Sequence, residues 1–204
     1  MWKARRLRVA LPNLIYDRTS ADAERWNYLA KELDTEGWSA MTAEEQVEWM
    51  TDLKGGYNHT DLNRVGTAVA YLGGRFTDLI THLIEYRGIY GVANDALFRV
   101  PYVAKDVAIA PKTDWVRGDQ VWMDQAARYI ADISTLRGLL PLTNAFPPAP
   151  PDAIDLTIEE ANDIEKLLSM LDDEITRVTG VLEKYIRDTA AAWFYSGDLL
   201  SGEV

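Results

Sequence analysis

The chain has 204 residues, 48% of them hydrophobic, enough for one large domain or two small ones with a real core. A net charge of −11 makes the whole surface a poor match for nucleic acid, and the absence of cysteine excludes disulfides, thiolate metal sites and a cysteine nucleophile. No stretch is long and apolar enough to span a membrane, and the basic start MWKARRLRVALPNL lacks the apolar run of a signal peptide.

Residues 1–16 read as an extended arm carrying Lys3, Arg5, Arg6 and Arg8. The arm either docks on an acidic surface or is a solvated tail. Thr19 and Asp22 suggest a capped first helix whose apolar face holds Ala23, Trp26, Leu29, Ala30 and Leu33, with Gly37 as its stop. Thr42 and Glu45 form a second capping box, opening a short helix with Val47, Trp49, Met50 and Leu53 that Gly55-Gly56 closes. A long helix follows from Thr60, the expected N-cap, to about Arg87. Leu62, Val65, Val69 and Leu72 share one face of it, and Gly73-Gly74 predicts a kink or break.

Residues 89–112 lose this periodicity and read as an irregular insertion with short extended or β segments. A third helix is expected over about 119–139, lined by Val121, Trp122, Ala126, Tyr129, Ile130, Ile133 and Leu136. Five prolines between 141 and 151 mark residues 141–156 as a stiff connector, a spacer in the first instance. Thr157 and Glu160 cap the last helix, expected over 157–194 with Gly180 as a weak point, and 195–204 reads as an extended tail. The organisation expected is therefore an arm over 1–16, a helical domain over 17–140, the connector, the long C-terminal helix and the tail. The fold class is mainly α: a helical bundle built from repeated capped helices, with extended segments at the termini and around 89–112.

The helix starts repeat. Asn63 and Asn162 occupy equivalent places, as do Val65 and Ile164, Val69 and Leu168, Leu72 and Leu171. Arg25, Arg64 and Arg128 align, Asp163 breaks that series, and the third copy has Ala127 in place of the asparagine. The asparagines are expected to bond backbone near their own helix starts.

Reactive constellations are scarce. The two histidines, His59 and His82, have no imidazole partner at metal-ligand spacing. The pairs Glu44-Glu45, Glu159-Glu160 and Asp172-Asp173 point apart on a helix and suit solvated faces. GGYNHTD lacks the lysine and spacing of a phosphate loop. No catalytic, cofactor or metal residue is nominated.

Five phrases in order carry a resemblance: YDRTSAD (16–22), MTAEEQVEWMTDLKGGYNHTDLNRVGTAVAYL (41–72), PKTDW (111–115), LTIEEANDIEKLL (156–168) and YSGDLLSGE (195–203). They resemble a family of phage and prophage structural proteins of Gram-positive bacteria, associated with tails or tail fibres. The second phrase, with Trp-x4-Lys-Gly-x-Tyr-Asn and Asp-Leu-Asn-Arg-Val, is the specific one. The chain departs from the pattern in its third repeat and in residues 92–110. The resemblance implies a non-enzymatic virion part from the baseplate or tail-fibre region, made in the host cytoplasm and working by assembly. Its partners would be other tail proteins and further copies of itself, without nucleic acid or membrane insertion and without a cofactor. Interface candidates are Arg5, Arg6, Arg8, Tyr195, Leu199 and Leu200. The alternative is a receptor-binding module that holds a cell-surface glycan through Trp38, Trp49 or Trp115. An enzyme such as a wall hydrolase is the third reading, for which no acid/base pair is visible.

Overall fold

The computed structural model describes residues 10–51, 53–90, 108–140, 146–153 and 156–198, and the side chains among them other than those of 84–90 and 189–198. Arg5, Arg6, Arg8, Leu199, Leu200 and most of the expected insertion lie outside the described residues. The protein is mainly helical: α1 (Ser20–Thr35), α2 (Ala43–Met50), α3 (His59–Tyr90), α4 (Met123–Gly138) and α5 (Ile158–Asp198). Among the described residues no strand occurs.

The capping boxes stand where the sequence places them. Thr19 accepts from Asp22 N while Asp22 accepts from Thr19 N, and Thr42 with Glu45 repeats the exchange. At α5 the pair is Thr157 and Glu160. The start of α3 differs from expectation. Asn58, not Thr60, is the cap: its Oδ1 accepts from Thr60 N at 2.8 Å, and its own N–H donates to Asp61 Oδ2 at 2.9 Å. The third helix starts at Met123, so Val121 and Trp122 precede it and stand exposed. α2 ends at Met50 with Thr51 as its C-cap, before Gly55-Gly56 is reached.

The core is made by three helices. Val65, Val69, Leu72, Phe76 and Leu79 of α3 meet Ile130, Ile133 and Leu136 of α4 and Ile164, Leu168, Leu171 and Ile175 of α5. α1 and α2 supply none of this cluster. Of the face expected on α1 only Leu29 is buried, and Val47 and Met50 of α2 are exposed. These two helices form an outlying pair, joined by an Arg25–Glu48 fork and by Trp26 against Trp49.

Gly73 and Gly74 do not break α3, which runs 32 residues without interruption. Gly73 serves an approach instead: a Cβ there would lie 2.2 Å from Ile109 Cδ1. Gly66 does the same two turns earlier on the same face, where a Cβ would lie 2.3 Å from the Lys112 carbonyl oxygen. Both glycines let the chain over 108–115 lie directly on the helix.

Two expected free segments are bound to the bundle, and part of a third is helical. Leu11 and Leu14 pack against the core, so residues 10–16 are docked rather than a loose arm. Phe146, Ala149, Ala153 and Leu156 also pack there, and the Pro147 carbonyl accepts from Arg137 Nε, so the proline-rich stretch lies on the bundle instead of spacing it. Residues 195–198 belong to α5, which overturns an extended tail at Tyr195.

Candidate functional site

Asn63 and Asn162 are each the fifth residue of their helix. Asn63 Oδ1 accepts from Trp115 N at 2.7 Å and its Nδ2 donates to Trp115 O at 2.8 Å. Asn162 treats Arg18 alike, at 3.0 Å and 2.9 Å. Each carboxamide thus pairs with both polar groups of one residue, as a neighbouring strand would. The expectation that they serve their own helix starts is corrected. They clamp extended segments 52 and 144 residues away, because an extended chain has no internal partners for its peptide groups.

The Asn162 clamp delivers the Arg18 side chain into the bundle. Arg18 is 6% exposed and Glu165 is fully buried. Arg18 Nη2 donates to Asp61 Oδ1 and Glu165 Oε1, both at 2.7 Å. Arg64 reaches Glu165 through Nε at 2.9 Å and Nη2 at 2.8 Å, and also bonds Asp61. Two cations face two carboxylates, so the cluster is neutral, as charges removed from water require. Its remaining valences are used too. Arg18 Nε donates to Lys54 O at 3.1 Å, and Glu165 Oε2 accepts from Ile15 N at 2.6 Å. The Arg18 guanidinium stands 5.5 Å from the Tyr57 ring centroid, a cation–π distance. The Tyr57 and Tyr129 hydroxyls bond each other. Burial pushes both phenols above their ordinary pKa. Burial opposes the charge on Arg64, but its bonds to Glu165 and Asp61 hold its pKa above the ordinary arginine value.

The aligned arginines are not brought together. Arg25 forks onto Glu48, Arg64 joins the buried cluster, and the exposed Arg128 lines a small cavity beside Asp132. Asp132 is buried, which raises its pKa, and it accepts from Ala110 N. Arg18, Asp61 and Glu165 were not nominated from sequence. The available signal was Glu165 inside the stripe Ile164, Leu167, Leu168, a charge on an otherwise inward-facing surface.

Beside the cluster lies a groove of about 310 Å³. The end of α2, the 51–59 turn, the start of α3 and the 115–121 loop enclose it. Trp26 and Trp49 stack on one side with centroids 6.3 Å apart at 29°, and Trp115, held by Asn63, forms another wall. Lys112 Nζ sits 4.3 Å from the Trp115 ring centroid. The Nε1 atoms of Trp49 and Trp115 are closed to solvent and have no partner among the described residues. The exposed apolar side chains Met50, Val116 and Val121 line the groove, and Val121 is followed in the chain by the exposed Trp122 and Met123. Arg117 Nη1 points its hydrogen at Met50 Sδ, 3.4 Å away. Of the three tryptophans considered for a glycan, Trp49 and Trp115 meet here, whereas Trp38 is exposed elsewhere.

Among the described residues no group of three His, Asp or Glu side chains could hold a metal ion, and no helix is long and apolar enough to cross a membrane. No family model, no curated protein and no solved structure matches the chain.

Proposed function

We propose that the chain is a non-enzymatic structural component of a phage or prophage-derived tail, from its baseplate or tail-fibre region. It works by assembly with neighbouring virion proteins and with copies of itself. The observation that carries this reading is the groove, whose lining includes the exposed apolar side chains Met50, Val116 and Val121. Contiguous apolar surface of that kind suits a contact made with another macromolecule. The resembling phrases supply part of this region, without Val116 or Val121. Residues 41–72 give Trp49, Met50, Tyr57 and Leu62, and PKTDW gives Trp115. YDRTSAD, residues 41–72 and LTIEEANDIEKLL together supply the buried cluster of Arg18, Asp61, Arg64 and Glu165 behind it.

Immunogold electron microscopy of particles from the bacterium that encodes the chain tests the reading. Label at the tail is expected. Particles that carry no copy of the chain would sink it. Residues 1–12 are tested separately by sedimentation of the full chain and of a chain lacking them, at low and high salt. If the basic arm contributes, truncation weakens assembly at low salt and has little effect at high salt.

A second reading, a glycan-binding module of the same particle, is favoured by the meeting of Trp49 and Trp115 in one groove with Asn58, His59 and Asp119. Calorimetry with purified cell-wall polysaccharide tests it. Binding lost in Trp49→Ala supports it, and the absence of any heat at high polysaccharide concentration removes it.

A further inference from the structure

The two long helices correspond residue by residue. Val65, Val69, Leu72, Phe76, Leu79 and Leu83 of α3 match Ile164, Leu168, Leu171, Ile175, Val178 and Leu182 of α5 at one constant spacing along the chain. Both sets are buried in the common core and step alternately by four and three residues, as the seam of a coiled coil does. The helices run in the same direction, since Arg64 meets Glu165 near their starts while Arg75 bonds Asp172 and Thr176 further along. The clamps obey the same relation. Asn63 holds Trp115, and Asn162, its counterpart, holds Arg18. Three residues after each asparagine, the helix meets the residue three before the clamped one. The Lys112 carbonyl closes on Gly66, and Ile15 N donates to Glu165. Both extended segments therefore lie antiparallel to their helices in one register.

The repeat crosses over. Residues 10–90 run from one extended segment to α3, and residues 108–198 run from the other to α5. Yet the segment of the first half is gripped by α5, and that of the second half by α3. Each half takes from the other what it gives. Arg18 and Arg64 of the first half also close on Glu165 of the second. Parallel helices that exchange equivalent arms make the contact of a two-fold dimer, in which each side presents the same patch. The halves differ between those parts, where the first carries the outlying α1 and α2 and the second carries α4. We infer that the face shared by α3 and α5 is a dimer interface enclosed in one chain, and that two copies join by exchanging halves across it. None of these contacts depends on which copy supplies the half. Exchange therefore conserves them and gives up only the effective concentration that the covalent link provides. This rests on the assembly reading above and deepens it by naming the contact between copies.

The test uses the full chain. It contains no cysteine, so a thiol crosslink reports only the positions chosen. Arg75 and Asp172 bond each other across the two helices. The double variant Arg75→Cys, Asp172→Cys, refolded at low concentration, should be linked within one chain by a short bismaleimide. An equimolar mixture of the two single variants, unfolded in urea and refolded together at high concentration, should instead give a mixed covalent dimer. Arg177→Cys, on the exposed side of α5, should give none above the collision background when it replaces Asp172→Cys. Separately, a protease site inserted between residues 90 and 108 and cut in the folded chain should leave the two fragments as one complex with unchanged far-ultraviolet circular dichroism. A double variant that stays unlinked, a mixed dimer no more abundant than in the Arg177→Cys control, or fragments that part on gel filtration would each overturn the inference. Tail labelling by immunogold is independent of all three, so a failure here leaves assembly through another surface.

Discussion

Asn63 and Asn162 replace a strand neighbour with a single side chain. Each makes two hydrogen bonds to one peptide residue, so truncation removes both and leaves partly buried backbone groups unpaired. Asn162→Ala and Asn63→Ala should each lower stability by about 2 kcal/mol, at roughly 1 kcal/mol per bond. Urea unfolding measures this, and a loss below about 0.5 kcal/mol would mean the clamps are incidental. Glu165 is more consequential. It bonds Arg18, Arg64 and Ile15 N with no access to water, so Glu165→Ala leaves the buried Arg18 and the partly buried Arg64 with one carboxylate. The expected destabilisation is about 3–5 kcal/mol, the usual range for breaking a buried ion pair. The neutral double variant Arg64→Met, Glu165→Leu should be less damaged than the sum of its single changes. Additivity in that cycle would contradict the network.

At the scale of the element, α3 distinguishes glycines that are needed from glycines that are merely tolerated. An added Cβ at Gly66 meets the Lys112 carbonyl at 2.3 Å, whereas none at Gly74 or Gly180 meets anything within 4 Å. Helix propensity alone would make every Gly→Ala change favourable by up to about 1 kcal/mol. Gly74→Ala and Gly180→Ala should therefore raise the melting temperature. Gly66→Ala should lower it and speed amide exchange at Trp115, whose N–H then loses its register with Asn63. Protection at Trp115 unchanged in Gly66→Ala would show that the 112–115 segment is not held by close approach to α3.

For the whole molecule, pH acts through carboxylates that the fold holds in hydrogen bonds and ion pairs. Bonds to Thr19 depress Asp22, backbone and hydroxyl bonds to Thr42 depress Glu45, Arg25 depresses Glu48, and the Val116 N–H depresses Asp119. A group whose native pKa lies below its unfolded value stabilises the fold above the ordinary carboxylate range. That contribution fades as pH falls below about 4 and is lost below the native pKa. The melting temperature should thus be level near neutrality and fall between pH 4 and pH 2. Asp132 has the opposite sign, because burial raises its pKa and disfavours its charge. Asp132→Asn should then compare better with the wild type at pH 7 than at pH 3. The reverse order would mean that the Asp132 carboxylate is stabilised as an anion.

The sequence by itself determined that helices form in these stretches and where α1, α2 and α5 begin. A capping box or a 3.6-residue apolar stripe is local: Thr19 with Asp22, Thr42 with Glu45, and Val65 with Val69 and Leu72 act within one or two turns. It also exposed the equivalence of Asn63 and Asn162, since both stand at the same step of a similar helix start. Tertiary structure decided what those asparagines hold, because their partners lie 52 and 144 residues away. It decided that Gly73 admits Ile109 instead of breaking α3, and that Arg25, Arg64 and Arg128 serve three separate purposes. Arg18 and Asp61 look like surface charges in any short window, and Glu165 differs only in standing within an apolar stripe. They become one neutral cluster only when the N-terminal segment, α3 and α5 converge, because partnership between charges depends on distance in space. The groove between α2, α3 and the 115–121 loop has the same origin, since its walls come from segments that no spacing rule connects.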